Sequence, residues 1–129
     1  MAVQAQVPAG RPATLAVTEE RIVVQYSANE SGGRVTIVHP PGDSAVVESI
    51  RLRLLEAAAA IRRGDLRSAS MLPDDARTAA SLAQHRELIR CTFRPLPRGG
   101  ELVLFSDDDS TVAEIHRLLS GTPPELSIP

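Results

Sequence analysis

"EERIVVQYSANESGGRVTIVH" (residues 19–39) and "RELIRCTFRPLPRGGELVLFS" (residues 86–106) are one pattern written twice. An offset of 67 residues lays the second on the first without a gap: Glu87 falls on Glu20, Ile89 on Ile22, Phe93 on Tyr26, and Gly99 and Gly100 on Gly32 and Gly33. Ile22, Val24 and Tyr26 alternate with Val23, Gln25 and Ser27, and Ile89, Cys91 and Phe93 alternate with Arg90, Thr92 and Arg94. A period of two is that of a strand buried on one face. Val35, Ile37, Leu102 and Leu104 continue the inner face beyond the glycines, so each copy reads as a hairpin. The glycine pairs are expected to supply positive φ at the turn or at a bulge beside it.

Past the hairpins the first copy carries two extra residues, Pro40 and Pro41, and the offset becomes 65, setting "GDSAVVESIRLRLL" on "DDDSTVAEIHRLLS". Asp43 then meets Asp108, Val47 meets Val112, Ile50 meets Ile115 and Leu54 meets Leu119. The first helix begins near Ser44, capped by Asp43 or Ser44, and stops at Gly64, with Arg62 and Arg63 at its negative end. Val47, Ile50, Leu54, Ala57 and Ile61 give it one apolar stripe. The second helix covers about Ser110 to Ser120 and ends before Gly121. Between the copies a short helix runs from Asp74 or Asp75 to about Gln84.

One hairpin is marginal in water, but two hairpins and two helices can share a core. The pattern predicts a two-layer α+β sandwich: a four-stranded antiparallel sheet with two main helices on one face, built from a ββα unit used twice about a pseudo-twofold axis. Residues 1–129 read as a single domain, with an N-terminal arm (1–18), the first unit (19–64), a linker with the short helix (65–85), the second unit (86–120) and a tail (121–129). Residues 1–14 and the tail read as loosely ordered.

Composition narrows the function more by exclusion than by indication. With 129 residues and 43% apolar content the chain can bury a core of ordinary size. Its basic residues are all arginine, 14 of them, which fits a GC-rich coding sequence, and the net charge of −2 gives no general pull toward nucleic acid or anionic membrane. Cys91 is the only cysteine, which excludes an intrachain disulfide and any cysteine cluster or CxxC motif. No stretch is long enough to span a membrane, and the start lacks a basic region followed by an apolar core, so the chain as written reads as cytoplasmic. An exported protein is the alternative, if a leader has been removed before "AVQAQ".

No GxSxG, SxxK, P-loop or GxGxxG pattern is present, and catalytic residue types are not grouped, so the reading leans away from an enzyme and implies no cofactor. Asp107, Asp108 and Asp109 offer hard oxygen ligands for a divalent cation, but the EF-hand spacing is missing, and a helix N-cap accounts for the run. His39, His85 and His116 form no HxxxH pair, and His116 borders the apolar stripe of the second helix, where a hydrogen-bonded role outweighs metal ligation. Cys91 falls on the inner face as a small, unreactive core residue. Arg90, Arg94 and Arg98, with Arg34 nearby, form a possible anion-binding patch for a phosphate group or, more weakly, nucleic acid. A stacking sheet for RNA wants surface aromatics, and Phe105 alone qualifies.

Alternation sends Val23, Val38, Val103 and Phe105 to the outer face of the sheet. If the second strands of the hairpins are neighbours, these residues merge into an apolar patch large enough to mark an interaction site. A homodimer or another protein partner is then expected, unless the N-terminal segment covers the face.

The stretches "GGRVTIV", "DSAVVESIRLRLLEAAAAIRRGD" and "IRCTFRPLPRGGELVLFSDDDSTVAEIHRLL" resemble a group of small bacterial proteins, many of them exported, built from repeated strand and helix units of the form "DPAVVxAIHxxL". The resemblance spans about residues 20–119. It implies the repeated strand–helix fold and, through the helix histidine, metal binding at His116; the matching place in the first helix is Arg51. From the residues, the expected function is a non-enzymatic domain that binds a protein or itself, with metal-ion or small-ligand binding as the alternative.

Overall fold

The computed structural model describes residues 14–17, 21–66, 72 and 75–121. Five strands form: β1 (Thr14–Val17), β2 (Val23–Asn29), β3 (Gly32–Val38), β4 (Arg90–Leu96) and β5 (Gly99–Phe105). The alternating stretches make the two hairpins β2–β3 and β4–β5. In the first, Val23 pairs with Val38 and Asn29 with Gly32; in the second, Arg90 pairs with Phe105 and Leu96 with Gly99. The second register is the first displaced by the same 67 residues that align the sequences.

β3 and β5 are antiparallel neighbours in a sheet of order β1-β2-β3-β5-β4. Val35 lies opposite Leu102, its counterpart in the alignment, and the central register is symmetric about that pair. Backbone contacts at the strand ends obey the same symmetry: His39 N–H donates to Arg98 O at 2.8 Å, and Ser106 N–H donates to Ser31 O at 2.9 Å.

The sheet has one strand more than the four expected. β1, from the arm, pairs with β2 along Thr14–Tyr26 to Val17–Val23. Four residues are too few to carry a periodicity, which is why the alternation does not disclose it. The expectation of a loosely ordered arm and tail falls otherwise on residues 1–13 and 122–129, outside the described residues.

The expected positive φ holds at Gly32 alone, at 152° just after the first loop, and the glycine pairs also serve a second purpose. The hairpin loops are Glu30–Ser31 and Pro97–Arg98, and neither loop has a residue with positive φ. The glycines open β3 and β5, where a Cβ on Gly32 would run into the Leu104 carbonyl and one on Gly99 into the Ile37 carbonyl. Close approach of the two central strands excludes a side chain at both positions, and at Gly32 the positive φ disfavours one as well.

Among the described residues three helices form, α1 (Ser44–Arg62), α2 (Ala76–Gln84) and α3 (Asp109–Leu119), with a 3₁₀ turn at Arg86–Leu88; α1 and α3 cover one face of the sheet and α2 packs on α3. Each starts at an aspartate. Asp43 accepts from the N–H groups of Ala45 and Val46 at 2.9 and 3.4 Å, Asp75 from Thr78 at 3.1 Å, and Asp108 from Thr111 at 2.9 Å. α1 ends in a Schellman motif: Gly64, at φ 81°, donates to Ile61 O and Asp65 donates to Ala60 O.

The helices exchange hairpins. α1 follows β3 in the chain but packs on β4 and β5, while α3 follows β5 and packs on β2 and β3. Leu54 of α1 sits over Gly100, and Leu119 of α3 sits over Gly33, so the space that these glycines leave is filled by the other unit's helix. Ile22, Val24, Tyr26, Val35, Ile37, Leu102 and Leu104 from the sheet join Ile50, Leu54, Ile61, Ile115 and Leu119 in one core. Burial raises the pKa of the Tyr26 hydroxyl. Neither unit covers its own hairpin, so the halves fold as one body.

Candidate functional site

Two side chains from corresponding helix positions reach the hairpin ends. On α1, Arg51 donates from Nε to Gly99 O at 3.0 Å and from Nη2 to Leu96 O at 2.6 Å. On α3, the Nε2 of His116 lies 2.6 Å from Asn29 O. Asn29 corresponds to Leu96 under the hairpin offset, and Arg51 to His116 under the helix offset. A carbonyl oxygen only accepts, so Nε2 carries the hydrogen and His116 acts as a donor that pins the hairpin end.

The other metal candidates are also held by local bonds. Asp108 caps α3 and accepts from Thr111 Oγ1 at 2.8 Å; these bonds hold its carboxyl below the ordinary range. Asp75 is lowered in the same way by Thr78. Asp109 lies in the first turn of α3, and Asp107 lines a shallow depression of about 250 Å³ with Glu87, Leu88, Arg90, Ser106 and Asp108. His39 accepts from the N–H of Asp43 at 3.2 Å, and His85 lies 3.6 Å from Glu114. Among the described residues no group of three or more His, Cys, Asp or Glu side chains could hold a metal ion. Cys91 is buried, and desolvation, opposed by Arg62, pushes its thiol up to about 11.

The outer face of the sheet remains. Among the described residues no helix is seen to pack there: α1 and α3 both lie over the inner residues. Val23, Val38, Val103 and Phe105 are half-buried. β3 and β5 are neighbours, the condition for these residues to merge, but their antiparallel register separates them. Val23 and Val38 pair at one end; Phe105 lies at the other, opposite Gly32, with Val103 beside it opposite Arg34. The two ends are six residue steps apart along β3, about 20 Å at the usual strand rise.

The middle of the face is charged. Glu101 lies opposite Thr36 on one side and Arg94 on the other, and is only 6% exposed. Its Oε2 is 3.5 Å from Arg94 Nη1, its Oε1 is 4.0 Å from Arg34 Nη1, and Thr36 Oγ1 donates to Oε1 at 3.5 Å. A carboxylate this buried needs such partners, because desolvation otherwise costs several kcal/mol. Arg34 and Glu101 occupy corresponding positions in the two hairpins, so the face has opposite charges at its centre of symmetry.

The four arginines are thus divided. Arg34 and Arg94 flank Glu101, and Arg90 lies near the Phe105 end, opposite that residue. Arg98 turns away from the face: it packs over Gly42 and donates to Pro40 O, tying the β4–β5 loop to the segment before α1. Glu101 was not singled out by the sequence reading. Its signal is a lone acid in "ELVLF", in a strand that is otherwise apolar.

No described helix is long and apolar enough to cross a membrane. No protein-family model, curated protein or solved structure matches the chain, and the family resemblance stands on the quoted motifs alone.

Proposed function

We propose that this chain is a small non-enzymatic domain that binds another protein through the outer face of its sheet. One observation carries the reading: both long helices lie on the inner side, and the opposite side presents half-buried Val23, Val38, Val103 and Phe105 around the Glu101 ion network without a described element over them. Apolar groups around a fixed polar centre are the makings of an interface, in which the apolar part supplies affinity and the charges fix orientation.

The test is to cross-link partners to the wild type in cells and compare Val38→Asp, Phe105→Asp and, as a control on the helix layer, Leu52→Asp. Leu52 is 61% exposed on α1. A genuine partner is lost with both face variants, retained with the control, and binds again when purified. A partner lost only with Leu52→Asp would move the interface to the helices and end this reading. Sedimentation equilibrium on the wild type tells whether a second copy is that partner.

A further inference from the structure

Building on the outer face as the binding surface, we infer that its partner is an acidic protein segment, with central Asp or Glu side chains that meet Arg34 and Arg94 and apolar side chains that meet the ends of the face. Arg90, at the Phe105 end, lines a depression with Glu87, Asp107 and Asp108, whereas at the centre of the face two guanidiniums meet the carboxylate of Glu101. Arg34 and Arg94 share that carboxylate, and Arg94 remains 64% exposed. Each guanidinium has five N–H donors, so most of this fork-shaped donor capacity points outward, and a carboxylate is the group that matches it.

The apolar groups set the span. Val23 and Val38 at one end and Val103 and Phe105 toward the other are separated by the arginines, and the distance of about 20 Å corresponds to six residues of an added extended segment or roughly 13 of a helix. A second copy fits poorly, because two such faces would set an excess of guanidiniums against an equal excess. Nucleic acid fits poorly as well: valines occupy one end, Phe105 is the only aromatic side chain on the described face, and the chain carries a net charge of −2.

Glu101 distinguishes this inference from simple apolar docking. It occupies the two arginines from within, so its neutralisation frees them for a ligand carboxylate. The experiment pans a random 12-residue peptide display library on the immobilised full chain. Selected peptides are titrated by fluorescence anisotropy against the wild type, Arg94→Met, Glu101→Gln and Phe105→Asp, each first checked for fold by circular dichroism. The expected peptides carry adjacent acids between apolar residues, and bind about tenfold more weakly to Arg94→Met and about tenfold more tightly to Glu101→Gln, the effect of one charged hydrogen bond. Peptides without acids that ignore the Arg94 and Glu101 changes but are lost with Phe105→Asp would overturn the acidic partner and leave the face standing. So would a wild-type dimer that Phe105→Asp dissociates, or a 20-base-pair duplex that outcompetes every peptide. Selection of no peptide, or only of peptides indifferent to Phe105→Asp, overturns both.

Discussion

Replacing Arg51 tests whether the helices hold the hairpins by their ends as well as through the core. Its guanidinium makes two bonds, at 3.0 Å to Gly99 O and 2.6 Å to Leu96 O, both partly buried. A hydrogen bond to a charged group contributes about 1.5–3 kcal/mol, but Leu96 and Gly99 border a surface turn and their carbonyls can turn to water once the partner is gone, so the loss on Arg51→Met is about 2 kcal/mol rather than twice the single-bond figure. Methionine keeps most of the stem's packing and isolates the polar contribution. His116→Ala removes the bond to Asn29 O and is expected to cost about 1 kcal/mol or more, with the fold kept and bound metal unchanged. Urea unfolding with an unchanged slope gives the totals, and amide exchange gives the place: Arg51→Met speeds exchange around residues 97–99, and His116→Ala around residues 30–32. A loss below about 0.5 kcal/mol for Arg51→Met, the size of an ordinary surface substitution, would refute the clamp. Equal acceleration at both loops would too, since it would mean that the variant loosens the whole domain.

The exchanged helices predict that residues 19–64 and 86–121 are each unfolded alone and recover sheet and helix signal when mixed; a cooperative melt of either fragment by itself would contradict the shared core. Asp75 and Asp108 bind protons more weakly folded than unfolded, so their caps contribute fully above about pH 4, the unfolded carboxyl value, and lose that contribution as pH falls through the lower folded values. Asp108→Asn is therefore expected to flatten the acid side of the stability profile, and an unchanged acid limb in chemical denaturation would count against the cap. Cys91, buried with its thiol raised to about 11, is expected to react with a thiol reagent at pH 7 only on unfolding, and prompt labelling of the folded chain would place it at the surface.

The local features were legible because local physics sets them. Alternation placed Ile22, Val24 and Tyr26 inward, an aspartate marked the start of each helix, and Gly64 marked the end of α1. The offset even aligned residues that share a register. What the sequence could not carry was which surfaces meet. Val38 and Phe105 were assigned to the right face, but their separation depends on β3 and β5 running antiparallel as neighbours. The glycines looked like turn residues because a glycine pair beside a loop has two explanations; Gly32 fits the first by its φ of 152°, and only the approach of Leu104 and Ile37 discloses the second. Glu101 was passed over because a strand pattern records side, not company: its partners Arg34 and Arg94 come from two other strands.

The exchange of helices also explains why the proposed binding surface is a face, not an edge. Each helix crosses to the other hairpin to fill the space over Gly33 or Gly100, which keeps both on one side and leaves the reverse side without a described helix. The β4 edge is better protected. β1 occupies the side of β2, and on the opposite edge Pro95 of β4 has no N–H to offer while Arg62 donates to Cys91 O at 3.0 Å. Proline and a charged side chain on an edge strand discourage pairing with another chain. On the outer face, the Glu101 network interrupts the apolar residues at the centre of the sheet, so a wholly apolar surface would have to bury that charge cluster without matching it. A partner that supplies carboxylates there avoids that cost.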